Sequence, residues 1–156
     1  MKEQIMCAIL PELPIVGTLK LTSYDGKTLA GIEVVKRSAP SGMTPFFKSC
    51  HRELEKYLHG KSRTIAIKLD THHLTPFQSQ VLKAMASIPF GKVATYKNLA
   101  QKIKSKGYQA IGTACGKNPF LLIYPCHRVV GSSNLGGFAH GLQMKKDLLK
   151  LEGFET

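Results

Sequence analysis

Residues 95–119, TYKNLAQKIKSKGYQAIGTACGKNP, decide how the C-terminal half of this chain folds. Thr95 is an N-cap residue type, and Tyr96, Leu99, Ala100 and Ile103 recur at helical spacing behind it. Gly107 breaks the pattern. A second helix is expected from Tyr108 to Lys117, with Ile111, Ala114 and Cys115 inward, and Asn118-Pro119 stops it. Two short helices around a glycine turn read as a helix-turn-helix, with Lys97, Lys102, Lys104, Lys106 and Lys117 around it. Helix pairs of this kind also occur in proteins that never meet DNA, so the charge balance has to be weighed beside the pattern.

The net charge is +12, and it is uneven. Residues 1–73 hold 11 basic and 7 acidic side chains, whereas residues 74–156 hold 11 basic and 3 acidic. An excess of this size in one half favours a polyanionic partner, nucleic acid first.

Working outward, Thr75-Pro76-Phe77-Gln78 reads as a capping box with proline at the first helical position. Phe77, Val81, Leu82 and Met85 follow on one face, and Pro89 ends the helix. The polar stretch from Asp70 to Leu74 places a boundary between an N-terminal domain, 1–73, and a C-terminal domain, 74–156. The N-terminal domain reads as a small α/β unit. Leu19 and Leu21, then Leu29, Ile32 and Val34, give two strands with Asp25-Gly26 as the turn. Thr44-Pro45 starts a helix burying Phe46 or Phe47, Cys50, Leu54, Tyr57 and Leu58, ending near Gly60. Ile65, Ile67 and Leu69 alternate as a further strand. The histidines of this half (His51, His59, His72, His73) read as surface or boundary residues.

The chemistry is concentrated in Pro125-Cys126-His127-Arg128-Val129, straight after the apolar run Leu121-Leu122-Ile123-Tyr124. A thiolate is the nucleophilic form of cysteine, and a nearby imidazole is the usual means of making one. The last helix is expected over Leu142 to Glu152, with Gly153 beyond. Positions 142, 145, 149 and 152 share a face, which carries Leu142 and Leu149 but also Lys145 and Glu152. A carboxylate on an apolar face needs a partner, and His127 is the candidate. Cys126, His127 and Glu152 then form a relay of nucleophile, base and orienter. By itself the relay fits a thiol hydrolase as well as a group transferase. The loop Gly131–Phe138 is too short for a phosphate-binding loop; its small residues suit the close approach of a flat ligand.

The four cysteines form no CxxC pair, and the histidines add no metal-ligand spacing, so no metal is expected. No apolar run approaches the ~18 residues of a membrane span, and the start, broken by Pro11, is a poor signal peptide. The expectation is an intracellular protein, cytoplasmic or, in a eukaryote, nuclear, with no membrane partner.

These residues resemble the O6-alkylguanine-DNA alkyltransferases. The likeness runs almost continuously from Thr75 to Gly153: Thr75-Pro76-Phe77-Gln78, Ile88-Pro89-Phe90-Gly91-Lys92-Val93, Tyr96 with Leu99-Ala100, Gly116-Lys117-Asn118-Pro119, Pro125-Cys126-His127-Arg128-Val129-Val130, Gly136-Gly137-Phe138, and Leu148-Leu149 with Glu152-Gly153. The resemblance implies a ribonuclease-H-like α/β N-terminal domain and a mostly α, winged-helix-like C-terminal domain. It implies a cofactor-free monomer that acts on double-stranded DNA containing O6-alkylguanine, with O4-alkylthymine a second candidate. The lesion is rotated out of the duplex, and Cys126 keeps the alkyl group, one turnover per molecule.

The resemblance also assigns roles. Asn118 fixes the turn around the nucleophile, and Tyr96 donates to the guanine ring with support from Lys145. The backbone near Val129 reads the guanine amino group, and the loop carrying Phe138, Ala139 and His140 covers O6. Gln109, Ala110, Thr113, Lys117, Arg128 and Ser132 meet DNA, in the minor groove. Three departures from the family's habit stand out. Gln109 stands where an arginine usually fills the gap left by the flipped base, with Lys106 the nearest cation. Phe138 and His140 replace tyrosine and glycine. Where some members bind structural zinc, this chain has Cys7 but Tyr24 and Ala30, so no such zinc is expected. The rival readings are a damage-sensing relative without transfer activity, a thiol hydrolase, which would need an oxyanion hole and turnover, and a transcriptional helix-turn-helix protein; the first and last have no need of the Cys126-His127-Glu152 set.

Overall fold

The computed structural model describes residues 4–105 and 107–154, so Lys106 lies outside the described residues. The chain divides into two compact units, Met1–His72 and His73–Thr156.

In the first unit, β1 (Met6–Ile9), β2 (Thr18–Ser23) and β3 (Gly31–Val35) form an antiparallel sheet in the order β1-β2-β3. The register pairs Ala8 with Leu21 and Leu21 with Ile32, so three buried apolar side chains line up across the sheet. β1 was not among the expected strands. The turn after β2 is made by Asp25, whose carboxylate accepts the backbone N–H groups of Lys27 and Thr28, both at 2.8 Å. Helix α1 (Pro45–Leu58) starts where the Thr44 hydroxyl accepts from the Phe47 N–H, with proline at its first position. Phe47, not Phe46, is buried, followed by Cys50, Leu54, Tyr57 and Leu58.

The strand expected at Ile65–Leu69 does not form. Only Leu69 makes a β-bridge, to Leu29. The backbone N–H of Ala66 is taken by the Glu53 carboxylate at 3.0 Å, and the Ser62 hydroxyl donates to the Thr64 carbonyl. A segment whose backbone groups are satisfied by side chains has less to gain from a ladder.

In the second unit, α2 (Pro76–Ala86), α3 (Tyr96–Lys102) and α4 (Tyr108–Gly116) enclose one core of Val81, Leu82, Met85, Leu99, Ala100, Ile111, Ala114 and Cys115. The expected capping box at Thr75 is only half made. Thr75 accepts from the Gln78 N–H, but the Gln78 side chain donates to the Lys117 carbonyl instead, tying α2 to the end of α4. The reciprocal box is at α3, where Thr95 and Asn98 each accept the other's backbone N–H at 3.0 Å.

Two further short strands, β4 (Ala94–Thr95) and β5 (Val129–Val130), pair in parallel. This ladder sets the start of α3, and so Tyr96, beside the segment leaving Cys126. Helix α5 (Leu142–Leu151) buries Lys145, Leu148 and Leu149. Leu142 is 48 % exposed, so the buried face begins one turn later than the spacing implied. Among the described residues no helix is long and apolar enough to cross a membrane.

Two substitutions separate packing from capping in the second unit. Leu99→Ala empties a fully enclosed site and is expected to cost about 2–5 kcal/mol. Thr75→Ala removes one cap and is expected to cost about 1 kcal/mol. Urea midpoints at constant slope measure both.

Candidate active site

Cys126, His127 and Arg128 form a single 3-10 turn between a buried apolar loop and β5. With about three residues per turn, consecutive side chains leave it in three directions. Cys126 lines a cavity, while His127 and Arg128 point into the protein and are buried.

The loop before the turn is shaped by Asn118. Its amide donates to the Tyr124 carbonyl at 2.7 Å, and its side-chain oxygen accepts from the Phe120 N–H at 2.9 Å. Between them Leu122 is held at a φ of +75°, a conformation that costs a non-glycine residue energy and persists only when its surroundings enforce it. Asn118 therefore shapes the loop that leads to Cys126.

Glu152 closes α5 and gathers the other two side chains. Its carboxylate receives His127 Nε2 at 2.9 Å, Arg128 Nη2 at 2.7 Å and Arg128 Nε at 2.8 Å. The Gly91 N–H adds a fourth donor at 3.2 Å. The remaining arm of Arg128 donates to the Ile88 carbonyl at 2.7 Å, and its guanidinium lies 5.8 Å from the Phe90 ring centre. His127 is 0 % exposed and Glu152 5 %. The Glu152–His127 pairing anticipated from the sequence is present.

Arg128 is the correction. It was expected on DNA, yet it is 8 % exposed with its donors engaged inside the protein. The resemblance had placed it in the DNA-binding set. A buried carboxylate at a helix C-terminus, where the dipole is also negative, was the available signal for a buried cation.

Burial pushes the pKa of His127 below its ordinary value, although Glu152 opposes the shift. The ring is then neutral near pH 7. Its Nε2–H donates to the carboxylate, which puts the lone pair on Nδ1. Two thiols line the same cavity. Burial raises both, Cys115 to about 12. Asn118, the turn's backbone N–H groups and Lys145 act against burial at Cys126, and the Asn118 contact is not shared by Cys115. That contact sets Cys126 apart from Cys115 within the cavity.

Lys145 is buried, and its ammonium donates to the Val129 carbonyl at 2.6 Å and the Gly137 carbonyl at 2.9 Å. Burial lowers its pKa to about 8. Lys145 therefore pins the glycine loop to β5. Tyr96 is reached through that loop: burial raises its pKa, and the Gly137 backbone bonds its hydroxyl. Gly136, at a φ of +73°, would place a side-chain carbon 3.0 Å from the Tyr96 ring. The small residue expected to admit a ligand here admits the protein's own tyrosine.

The cavity has a volume of about 180 Å3 and is lined by Tyr96, Cys115, Asn118, Leu121, Cys126, Phe138, Ala139 and His140, with Gly112, Gly116 and Gly137 between them. His140 is part of this wall, its ring edge-on to Phe138 at 5.7 Å between centres. Val129, expected to read the base, is buried behind the wall with its carbonyl on Lys145. Gln109, Ala110, Thr113, Lys117 and Ser132 are exposed.

Residues 76–154 match the family of the 6-O-methylguanine DNA methyltransferase DNA-binding domain. The chain is 46 % identical over 109 residues to a methylated-DNA–protein-cysteine methyltransferase of Methanosarcina barkeri, covering 69 % of this chain and 68 % of that protein. Its fold is similar to that of an O6-methylguanine methyltransferase of Mycobacterium tuberculosis, with a TM-score of 0.81 at 30 % identity, over 96 % of this chain and 93 % of that one. A structure of the Mycobacterium tuberculosis protein in complex with DNA matches with a TM-score of 0.80 at 31 % identity, over 94 % and 91 % of the two chains.

Removing Arg128 separates a buried structural cation from a phosphate contact. Arg128→Met strands Glu152 in the interior and is expected to destabilise the protein by about 3–5 kcal/mol in urea unfolding. A variant of unchanged stability whose DNA binding merely loses salt dependence would restore Arg128 to the DNA surface.

Proposed function

This chain belongs to the methylated-DNA–protein-cysteine methyltransferase family, and on that footing we propose that it repairs DNA by moving the alkyl group from O6 of guanine to its own Cys126. The observation that carries this reading is the cavity holding one thiol whose sequence neighbour, His127, is a buried neutral imidazole bonded to Glu152.

The steps follow from the side chains present. The Cys126 proton passes to His127 Nδ1, directly or through water, and Glu152 stabilises the imidazolium that results. The sulfur attacks the alkyl carbon in line with the bond to O6. A carbon–sulfur bond forms, the carbon–oxygen bond breaks, and its electron pair stays on the guanine. On this reading the Tyr96 hydroxyl donates a proton to the leaving base and is reprotonated through solvent as His127 gives up the one it took, so the thiol's proton ends on guanine. The product thioether is stable, so each molecule acts once and needs no cofactor.

The substrate enters as a duplex. The cavity lies within one unit and has a volume of about 180 Å3, so on this reading the alkylated guanine leaves the stack to reach the sulfur. Gln109, Ala110, Thr113, Lys117 and Ser132 form the DNA-facing set, and α3 and α4 are its helix-turn-helix. The winged-helix-like description of this unit and the ribonuclease-H-like description of the first rest on element order and on the family. The same reading makes the chain a monomer working inside the cell.

Mass spectrometry after incubation with a duplex containing O6-methylguanine tests the transfer. One methyl on the Cys126 peptide, with guanine recovered, is the expected result, and Cys126→Ala should acquire none. A folded chain that binds the duplex but gains no methyl would make it a damage sensor.

The pH profile follows from the two shifts. Moving the proton within the Cys126–His127 pair leaves its total protonation unchanged. The rate should therefore be flat from pH 6.5 to about 8. Below that window His127 gains a proton and cannot accept another, so the rate falls. Above it, Lys145 loses the charge that favours the thiolate. Single-turnover rates across this range, with Glu152→Gln slower throughout, check the assignment; an acid limb beginning well above pH 6.5 would contradict a burial-lowered His127.

A further inference from the structure

Tyr108 is the first residue of α4 and is 53 % exposed. Among the described residues only Ile5 and Leu142 are other large apolar side chains so open to water. An aromatic ring left in solvent on a functional surface is a contact waiting for a flat or apolar partner. Its place on the helix says which. Positions 108, 112, 115 and 116 fall on one helical face. Gly112, Cys115 and Gly116 of that face line the cavity of Cys126. Tyr108 therefore stands one turn ahead of the cavity on the same stripe. The stripe is open between them: a side-chain carbon added at Gly112 or Gly116 would meet nothing within 4 Å.

The charge around this stripe selects the partner. Gly107 caps α4 without a side-chain bond and the first turn holds no acid, so the positive end of the helix is uncompensated. Lys104 and Lys117 are exposed at the two ends of the α4 segment. The carboxylates described in this unit are Asp147 and the buried, fully engaged Glu152. An aromatic ring in a basic field suits a nucleobase better than an apolar peptide. Gln109, the next residue, offers hydrogen bonds but no stacking plane.

We propose that Tyr108 is a DNA-positioning residue whose ring stacks on the base left without a neighbour when the target nucleotide leaves the duplex. The inference rests on the alkyl-transfer reading above, and it assigns the stacking surface that Gln109 lacks to the residue before it. Rings that fill or prop open a base step are a recurrent means of holding deformed DNA.

The test compares Tyr108→Phe, Tyr108→Leu and Tyr108→Ala in the full chain carrying Cys126→Ala, so that transfer does not drain the complex. Each is titrated with a duplex holding O6-methylguanine beside 2-aminopurine, and with the same duplex undamaged. Tyr108→Phe should bind the lesion duplex within twofold of the parent and quench 2-aminopurine as the parent does. Tyr108→Leu and Tyr108→Ala should bind it about tenfold more weakly and lose the quenching, with little change on undamaged DNA. Parental binding by Tyr108→Ala overturns the proposal. So does a loss in Tyr108→Phe equal to that in Tyr108→Ala, which would assign the effect to the hydroxyl, or an equal loss on undamaged DNA. If the chain with Cys126 intact gains no methyl while the ring dependence persists, alkyl transfer fails and the stacking assignment stands.

Discussion

The second unit is organised around one buried carboxylate. Glu152 sits at the C-terminal end of α5, where the helix dipole disfavours negative charge and burial removes the water that would offset it. Arg128, His127 and the Gly91 N–H together make that position tenable. The arrangement fastens the end of α5, the loop after α2 and the 3-10 turn to one another. It also fixes the tautomer of His127. One charge thus serves two ends: the geometry that keeps the carboxylate comfortable is the geometry that orients the His127 ring next to Cys126 in the chain.

Lys145 performs the matching task on the other side of the turn. Its ammonium holds two carbonyls, from β5 and from the glycine loop, and its burial leaves it only weakly basic. The loop carries Phe138 and His140 into the cavity wall and brings the Gly137 backbone to Tyr96. One buried cation therefore orders both the lid of the cavity and the phenol inside it. The β4–β5 pairing reinforces this by joining the residue before Tyr96 to the residues after Arg128.

How much of this could be read from the sequence depends on the range of the interaction. Helix starts were legible because a cap and its helix are contiguous: Thr44, Thr75 and Thr95 all cap as expected. The apolar stripe of α1 was legible from spacing alone, down to Cys50, Leu54 and Tyr57. The His127–Glu152 pair was legible because a carboxylate on an apolar face demands a partner. What failed was long-range competition for the same group. Gln78 was expected to bond its own helix start and instead reaches Lys117, 39 residues away. Arg128 was expected at the surface and is held by Glu152, 24 residues on. The strand at Ile65–Leu69 kept its alternation but lost its backbone partners to side chains such as Glu53. β1 and the two-residue strands β4 and β5 carry too little pattern to be seen without their neighbours.

The 3-10 turn at Cys126–Arg128 has a consequence for how this site can vary. Three adjacent residues carry the cavity thiol, the buried imidazole and the guanidinium that holds the carboxylate, and each points a third of a revolution from the next. Exchanging one of them alters one function. Inserting or deleting a residue there rotates all three at once, aiming the thiol into the core and a charge into the cavity. The turn behaves like a reading frame: its letters can drift one at a time, but its phase cannot.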